Sequence, residues 1–230
     1  MTDTSANNKR IAKNTLLLYF RMLFMMAVSL YTSRVVLNAL GVEDFGIYNV
    51  VGGVVAMFSM LSGSLSAAIT RFITYELGKG NQENLKKIFS SSVTIQIGLA
   101  ILIIVVAEAI GVWFLNMKMN IPDVRITAAN WVFQFSILTF AVNLISVPYN
   151  ASIIAHERMS AFAYISILEA IGKLAIVFLI VISPMDKLIF YAILMCAVAL
   201  IVRLAYGVYC KRHFEECTYH FIFDRDLLKH

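Results

Sequence analysis

Six apolar stretches, each long enough to cross a lipid bilayer, fill most of this chain, near residues 14–40, 46–75, 90–116, 128–153, 160–183 and 187–209. A span needs about 20 predominantly apolar residues. In hydrocarbon every backbone amide must find its partner inside the segment, so spans of this length are helices. The predicted fold class is therefore all-α: a polytopic membrane protein built as a six-helix transmembrane bundle. Composition points the same way. Hydrophobic residues make up 60% of the 230 and charged residues 14%, against roughly 25% charged in a soluble domain. Residues 1–13 read as a polar N-terminal segment, 14–209 as the six-helix lobe and 210–230 as a mixed, polar tail or linker. The close at His230, with no capping element, reads as a cut or a linker. The first stretch is too long for a signal-peptide core and lacks a small-residue cleavage site, so it counts as a span.

A net charge of +5 raises the question of nucleic acid, but the placement of the cations answers it. Thirteen of the 19 Lys and Arg residues precede the first span, end or follow the sixth, or lie at or between spans two and three and spans four and five. The alternate connections hold only Lys118, Arg125 and Lys187. The positive-inside rule then places both termini in the cytoplasm. The basic character is a topology signal, and no nucleic-acid partner is expected. Three cysteines are an odd count, with Cys196 inside span six and Cys210 and Cys217 on the reducing cytoplasmic side, so no disulfide framework is implied.

The connections are short. The turn Gly41-Val42-Glu43-Asp44-Phe45-Gly46 should set spans one and two as an antiparallel pair, and His156-Glu157-Arg158 should form a tight hairpin between spans four and five.

Five charged residues sit inside spans: Arg21, Arg34, Glu108, Glu169 and Lys173. An ionised side chain at the centre of an inserted helix costs about 2.5–3.5 kcal/mol, so such residues face a cavity, a partner charge or water. Arg21 lies about 12 Å beyond Lys13 at 1.5 Å per residue, deep enough for a cavity cation. Arg34 is nearer the outer boundary, where it anchors an interface or serves the site. Glu169 and Lys173 are spaced i, i+4 with the acid first, the favourable order for a helical pair. They either neutralise each other or expose a coupling carboxylate to the cavity. Glu108 has no local partner, and Arg34 at similar depth is the expected one.

Span four carries Thr139, Asn143, Ser146 and Asn150 on one face. Pro148 in the same stretch frees a backbone carbonyl and predicts a gating kink. The stripe is either a cavity wall or a set of interhelical hydrogen bonds. Span two presents Gly52, Ala56, Ser59, Gly63, Ser66 and Thr70, a small-residue face expected to let helix backbones approach closely.

No phosphate loop, nucleophile elbow or helix-borne metalloprotease motif is present, so the chain is not expected to be an enzyme and needs no cofactor. His213, Cys217 and His220 form only a short tract of potential ligands, and no metal site is expected. Glu215 and Glu216 read as ordinary solvated charge.

Three features carry a family resemblance: the run from Asn14 through Leu40-Gly41-Val42-Glu43-Asp44-Phe45-Gly46-Ile47-Tyr48, the long second span with Arg71-Phe72-Ile73-Thr74-Tyr75-Glu76-Leu77-Gly78-Lys79-Gly80, and the Glu157-Arg158 hairpin. The chain resembles the bacterial polysaccharide-export flippases, within the superfamily that also holds the multidrug antiporters. The resemblance implies one six-helix lobe of a two-lobed exporter that moves a lipid-linked oligosaccharide across the inner membrane by alternating access. A second lobe or a homodimer would complete the cavity. It further implies that Arg21, with Lys173 or Arg71, holds the diphosphate, and that Asn143 and Asn150 meet the sugar. A cation-coupled drug antiporter of the same fold, using Glu169, is the alternative. Another is a half-length membrane partner of polysaccharide assembly that transports nothing.

Overall fold

A computed structural model describes residues 2–119, 121–184 and 186–217, with side chains described from residue 12 onward except at 59–61. The tail from residue 218, with His220, Arg225 and Lys229, lies outside the described residues. Within them all regular structure is helical. Helix α1 (Thr2–Ala56) is two helices joined at Gly41, whose φ of 83° and ψ of 169° break the helical run. Only glycine adopts this conformation without strain. The predicted turn is thus a single residue wide, and Glu43 to Gly46 already belong to the second span. The N-terminal segment is helical from Thr2 and runs straight into span one.

Span two is not continuous. A turn at Met57 and Phe58 separates the second half of α1 from α2 (Ser59–Lys79). Helix α2 ends on Gly80 in the left-handed region, φ 70°, with its N–H returned to the carbonyls of Glu76 and Leu77, a common glycine stop. Asn81 then caps α3 (Gln82–Val106), accepting from the Asn84 N–H at 3.1 Å. Just inside α3, Lys87 hydrogen-bonds the exposed Glu83 and holds its carboxyl below the usual range. Span three continues through a π-helical turn (Ala107–Gly111) into α4 (Val112–Met117). A 3-10 turn (Asp123–Arg125) leads to α5 (Ile126–Ala155), which is unbroken through Pro148. Helices α6 (Met159–Ile182) and α7 (Lys187–His213) complete the order, and five helical segments, Ala12–Ala56, Gln82–Met117, Asp123–Ala155, Met159–Ile182 and Lys187–His213, are long and apolar enough to cross a membrane, where the sequence led us to expect six. The expected hairpin between α5 and α6 is present, with Glu157 at φ 54°.

Helix α5 is the axis of the bundle. It packs against α1, α2, α3 and α7, and 61% of its apolar window is buried, against 6% for α1. Close helix approach occurs at Gly111, where a Cβ would strike the Phe133 ring, and at Gly172 against Val198. It does not occur along the small-residue face of span two. A Cβ at Gly52, Gly53 or Gly63 would meet nothing within 4 Å, and Ala56 is exposed. The close packing expected there is absent from the described bundle.

Both ends are tied by polar side-chain contacts. At the end away from the termini, Arg125 donates to Asp44 at 2.8 Å and to Asp186 at 2.5 Å, joining three connections. Asp44, at the start of the second span just past Gly41, is buried against this guanidinium. At the other end His156 meets Glu216 at 2.5 Å and stacks on Phe214. Glu216 is only 2% exposed, so it is not the solvated charge its neighbours suggested. The 3-10 turn Glu215–Cys217 that carries it packs against α3 and α7. Cys217 hydrogen-bonds Cys210, and that contact with burial holds its thiol well above the usual range.

Candidate functional site

Arg21 projects from α1 onto α6. Its Nε donates to the Ser166 hydroxyl at 2.5 Å, and its guanidinium lies 4.1 Å over the Phe162 ring. Ser166 donates in turn to the Phe162 carbonyl at 2.9 Å and also hydrogen-bonds Tyr206 of α7. Arg21 is therefore positioned by three spans, and it pairs with no carboxylate among the described residues. Ring and hydroxyl hold the planar fork in place without neutralising it, which leaves the charge available to an anion.

The same guanidinium lines a cavity of about 290 Å³ between α1 and α6, with Lys13, Leu17, Phe20, Phe24, Ser160 and Tyr164 among its walls. Two cations and two hydroxyls on an otherwise apolar wall suit a group with an anionic end and a hydrocarbon remainder.

One helical turn beyond Ser166, Glu169 accepts from Lys173 at 2.6 Å, and both are about one third exposed. This is the self-neutralising arrangement of the two that the spacing allowed. Glu169 and Arg21 are both within electrostatic range of Tyr206. Spans one, five and six thus share a polar belt of Arg21, Ser166, Tyr206, Glu169 and Lys173.

The remaining sequence candidates are placed elsewhere. Glu108, in the π turn, accepts from Gln134 of α5 at 3.0 Å and not from Arg34, which is exposed on α1. The two charges sit on helices with little mutual contact, so the expected pair does not form. Arg71 is exposed on α2. On α5 the polar stripe divides by chemistry. Thr139 and Ser146 bond back to the carbonyls of Phe135 and Val142 at 2.7 and 2.9 Å. Asn143 is exposed, and the buried Oδ1 of Asn150 has no hydrogen-bond partner. Only the two amides are left to act beyond their own helix, and no described contact joins them to Arg21.

Sequence reasoning missed Arg203, which lies 3.8 Å over the Tyr149 ring inside α7. It counts as an end-of-span cation only if the helix stops at 209. The apolar run Leu204-Ala205-Tyr206-Gly207-Val208-Tyr209 beyond it was the signal of its depth. Among the described residues no group of three His, Cys, Asp or Glu could hold a metal ion; His220, from the tract noted above, lies outside them.

A family model described as polysaccharide biosynthesis protein matches residues 11–228. No curated protein and no solved structure matches the chain.

Proposed function

The chain belongs to the polysaccharide biosynthesis protein family, and from that premise we propose that it is one lobe of an exporter for a lipid-linked oligosaccharide. The lobe works by alternating access in a bacterial inner membrane, with both termini cytoplasmic, and is a transporter and not an enzyme. A second six-helix lobe, or a second copy, completes its cavity.

The observation that carries this reading is the unneutralised guanidinium of Arg21, fixed by Ser166 and Phe162 at the wall of an amphipathic groove. A diphosphate that must cross hydrocarbon needs a cation able to bind two oxygens at once, and arginine presents that fork. Lys13 lines the same groove and can share the charge. Exposed Asn143, and Asn150 with its free acceptor, are suited to sugar hydroxyls. Arg71 is a further cation available at the surface of α2. The pairing of Glu169 with Lys173 favours this reading over a cation-coupled antiporter, because it occupies the carboxylate such a mechanism would use.

Arg21→Ala is expected to abolish export in cells while leaving membrane insertion and the thermal stability of the purified protein close to wild type. Arg21→Lys should retain only a small part of the activity, since a point charge replaces the fork. Normal export by Arg21→Ala would remove this residue from the mechanism and the reading with it.

A further inference from the structure

Hydroxyls inside this bundle usually bond back to their own helix: Thr70, Thr94, Ser146, Ser152 and Ser166 each donate to a carbonyl four residues earlier. Two neighbouring polar residues on α3 behave otherwise. Gln96 is 0% exposed, and neither its Oε1 nor its Nε2 has a partner among the described residues. The buried Oγ of Ser91 has none either. A buried amide left unpaired is expensive, and a leucine would fill the same space without that penalty.

Both residues line one cavity of about 170 Å³ between α2 and α3, with Ser92 beside them. Its rim is apolar and open: Phe72 and Ile95 are 44% and 39% exposed, and Ala68 is exposed between them. No charged side chain lines it. The cavity therefore has a polar floor, an apolar mouth and no counter-charge.

We propose that this pocket binds the head of an uncharged, hydroxyl-bearing lipid, of the acylglycerol class, entering head-first between α2 and α3 with its chains left in the bilayer. A hydroxyl can donate to Gln96 Oε1 and accept from Nε2 at once, and a second reaches Ser91. A phosphate head would arrive with no cation to meet it. A volume of 170 Å³ holds about six water-sized groups at about 30 Å³ each, which is the size of a glycerol head. The site is separate from the Arg21 groove and stands whether or not the transport reading does.

The test uses the full chain in phosphatidylcholine vesicles and three photoactivatable probes with identical acyl chains. These are a diacylglycerol, its O-methyl ether and a phosphatidic acid. Saturable labelling of the segments 65–72 or 88–96 is expected from the diacylglycerol, about five- to tenfold above the other two, the effect of one buried hydrogen bond. Gln96→Leu should lower it by a similar factor without loss of thermal stability, and Ser91→Ala by less. Ala68→Phe, at the open rim, should block labelling with the polar floor intact, and it decides the matter if Gln96→Leu fails to fold. Equal labelling by the capped ether or the phosphatidic acid would overturn the proposal. So would unaltered labelling in Ala68→Phe, or labelling that does not saturate, as expected of a pocket that holds only water.

Discussion

Three cations inside the bundle are accommodated in three different ways. Lys173 is neutralised by a carboxylate one turn earlier at 2.6 Å. Arg203 rests on the face of Tyr149, and Arg21 is oriented by a hydroxyl and a ring but keeps its charge. The first arrangement is a device for insertion, because a pair of opposite charges is easier to place in lipid than either alone. Lys173→Met should therefore destabilise the protein by leaving Glu169 unpaired, and adding Glu169→Gln should recover most of the loss. A double-mutant cycle on reversible unfolding in bilayer or detergent is expected to give a coupling of about 1 kcal/mol, near the upper range for polar contacts in membrane proteins. Strictly additive effects would mean that the pair contributes nothing. This pair was legible in the sequence because its partners are four residues apart on one helix. The anchoring of Arg21 was not, since Ser166 lies 145 positions away and looks like any other small polar residue in an apolar run. Glu108 was misread for the same reason: depth along a span places a charge, but only the packing of α3 on α5 shows that Gln134 faces it.

At the level of elements, span length and turn chemistry were readable, and irregularities within a span were not. Hydropathy marked the long apolar helices, five of them long and apolar enough to cross a membrane, and Gly41 and Gly80 stop their helices at positive φ, as glycine allows. The break at Met57–Phe58 has no proline to announce it, and the π turn at Ala107–Gly111 is marked only by the glycine at its end. These two irregularities face each other across an apolar cavity of about 270 Å³ lined by Met57, Phe58, Ala107 and Gly111. A π turn widens one helical turn, and here it brings Gly111 against the Phe133 ring of α5, where a Cβ has no room. Gly111→Ala should thus force Phe133 from its position and cost about 1–3 kcal/mol, the usual range for overpacking. Phe133→Leu in the same chain should restore part of the loss by vacating the space. Thermal unfolding of the single and double variants measures both. A Gly111→Ala protein as stable as wild type would show that the contact is loose.

The whole molecule is lopsided. Helix α5 is enclosed on most sides, whereas the most apolar stretch of α1 is largely uncovered and an added Cβ at Gly52, Gly53 or Gly63 of span two would meet nothing within 4 Å. In lipid, where hydrophobicity does not drive helices together, small residues matter because they let backbones approach. The sequence pattern led us to expect close approach on this surface, and no described helix makes it at these glycines. In the proposed transporter the approaching helix belongs to the second lobe or second copy. A bulky residue on that side should leave the lobe itself intact and prevent its completion. Gly63→Trp is expected to change the stability of the purified chain by no more than about 0.5 kcal/mol, as for substitutions that meet nothing, and to abolish export. Cysteines introduced at Ala56 and Gly63 should cross-link to the second lobe or copy in membranes and lose that cross-link when Gly52→Trp is added. If Gly63→Trp unfolds the chain, the face is packed internally after all. If it exports normally and the cysteines find no partner, this side of the lobe meets only acyl chains and the cavity must be closed elsewhere.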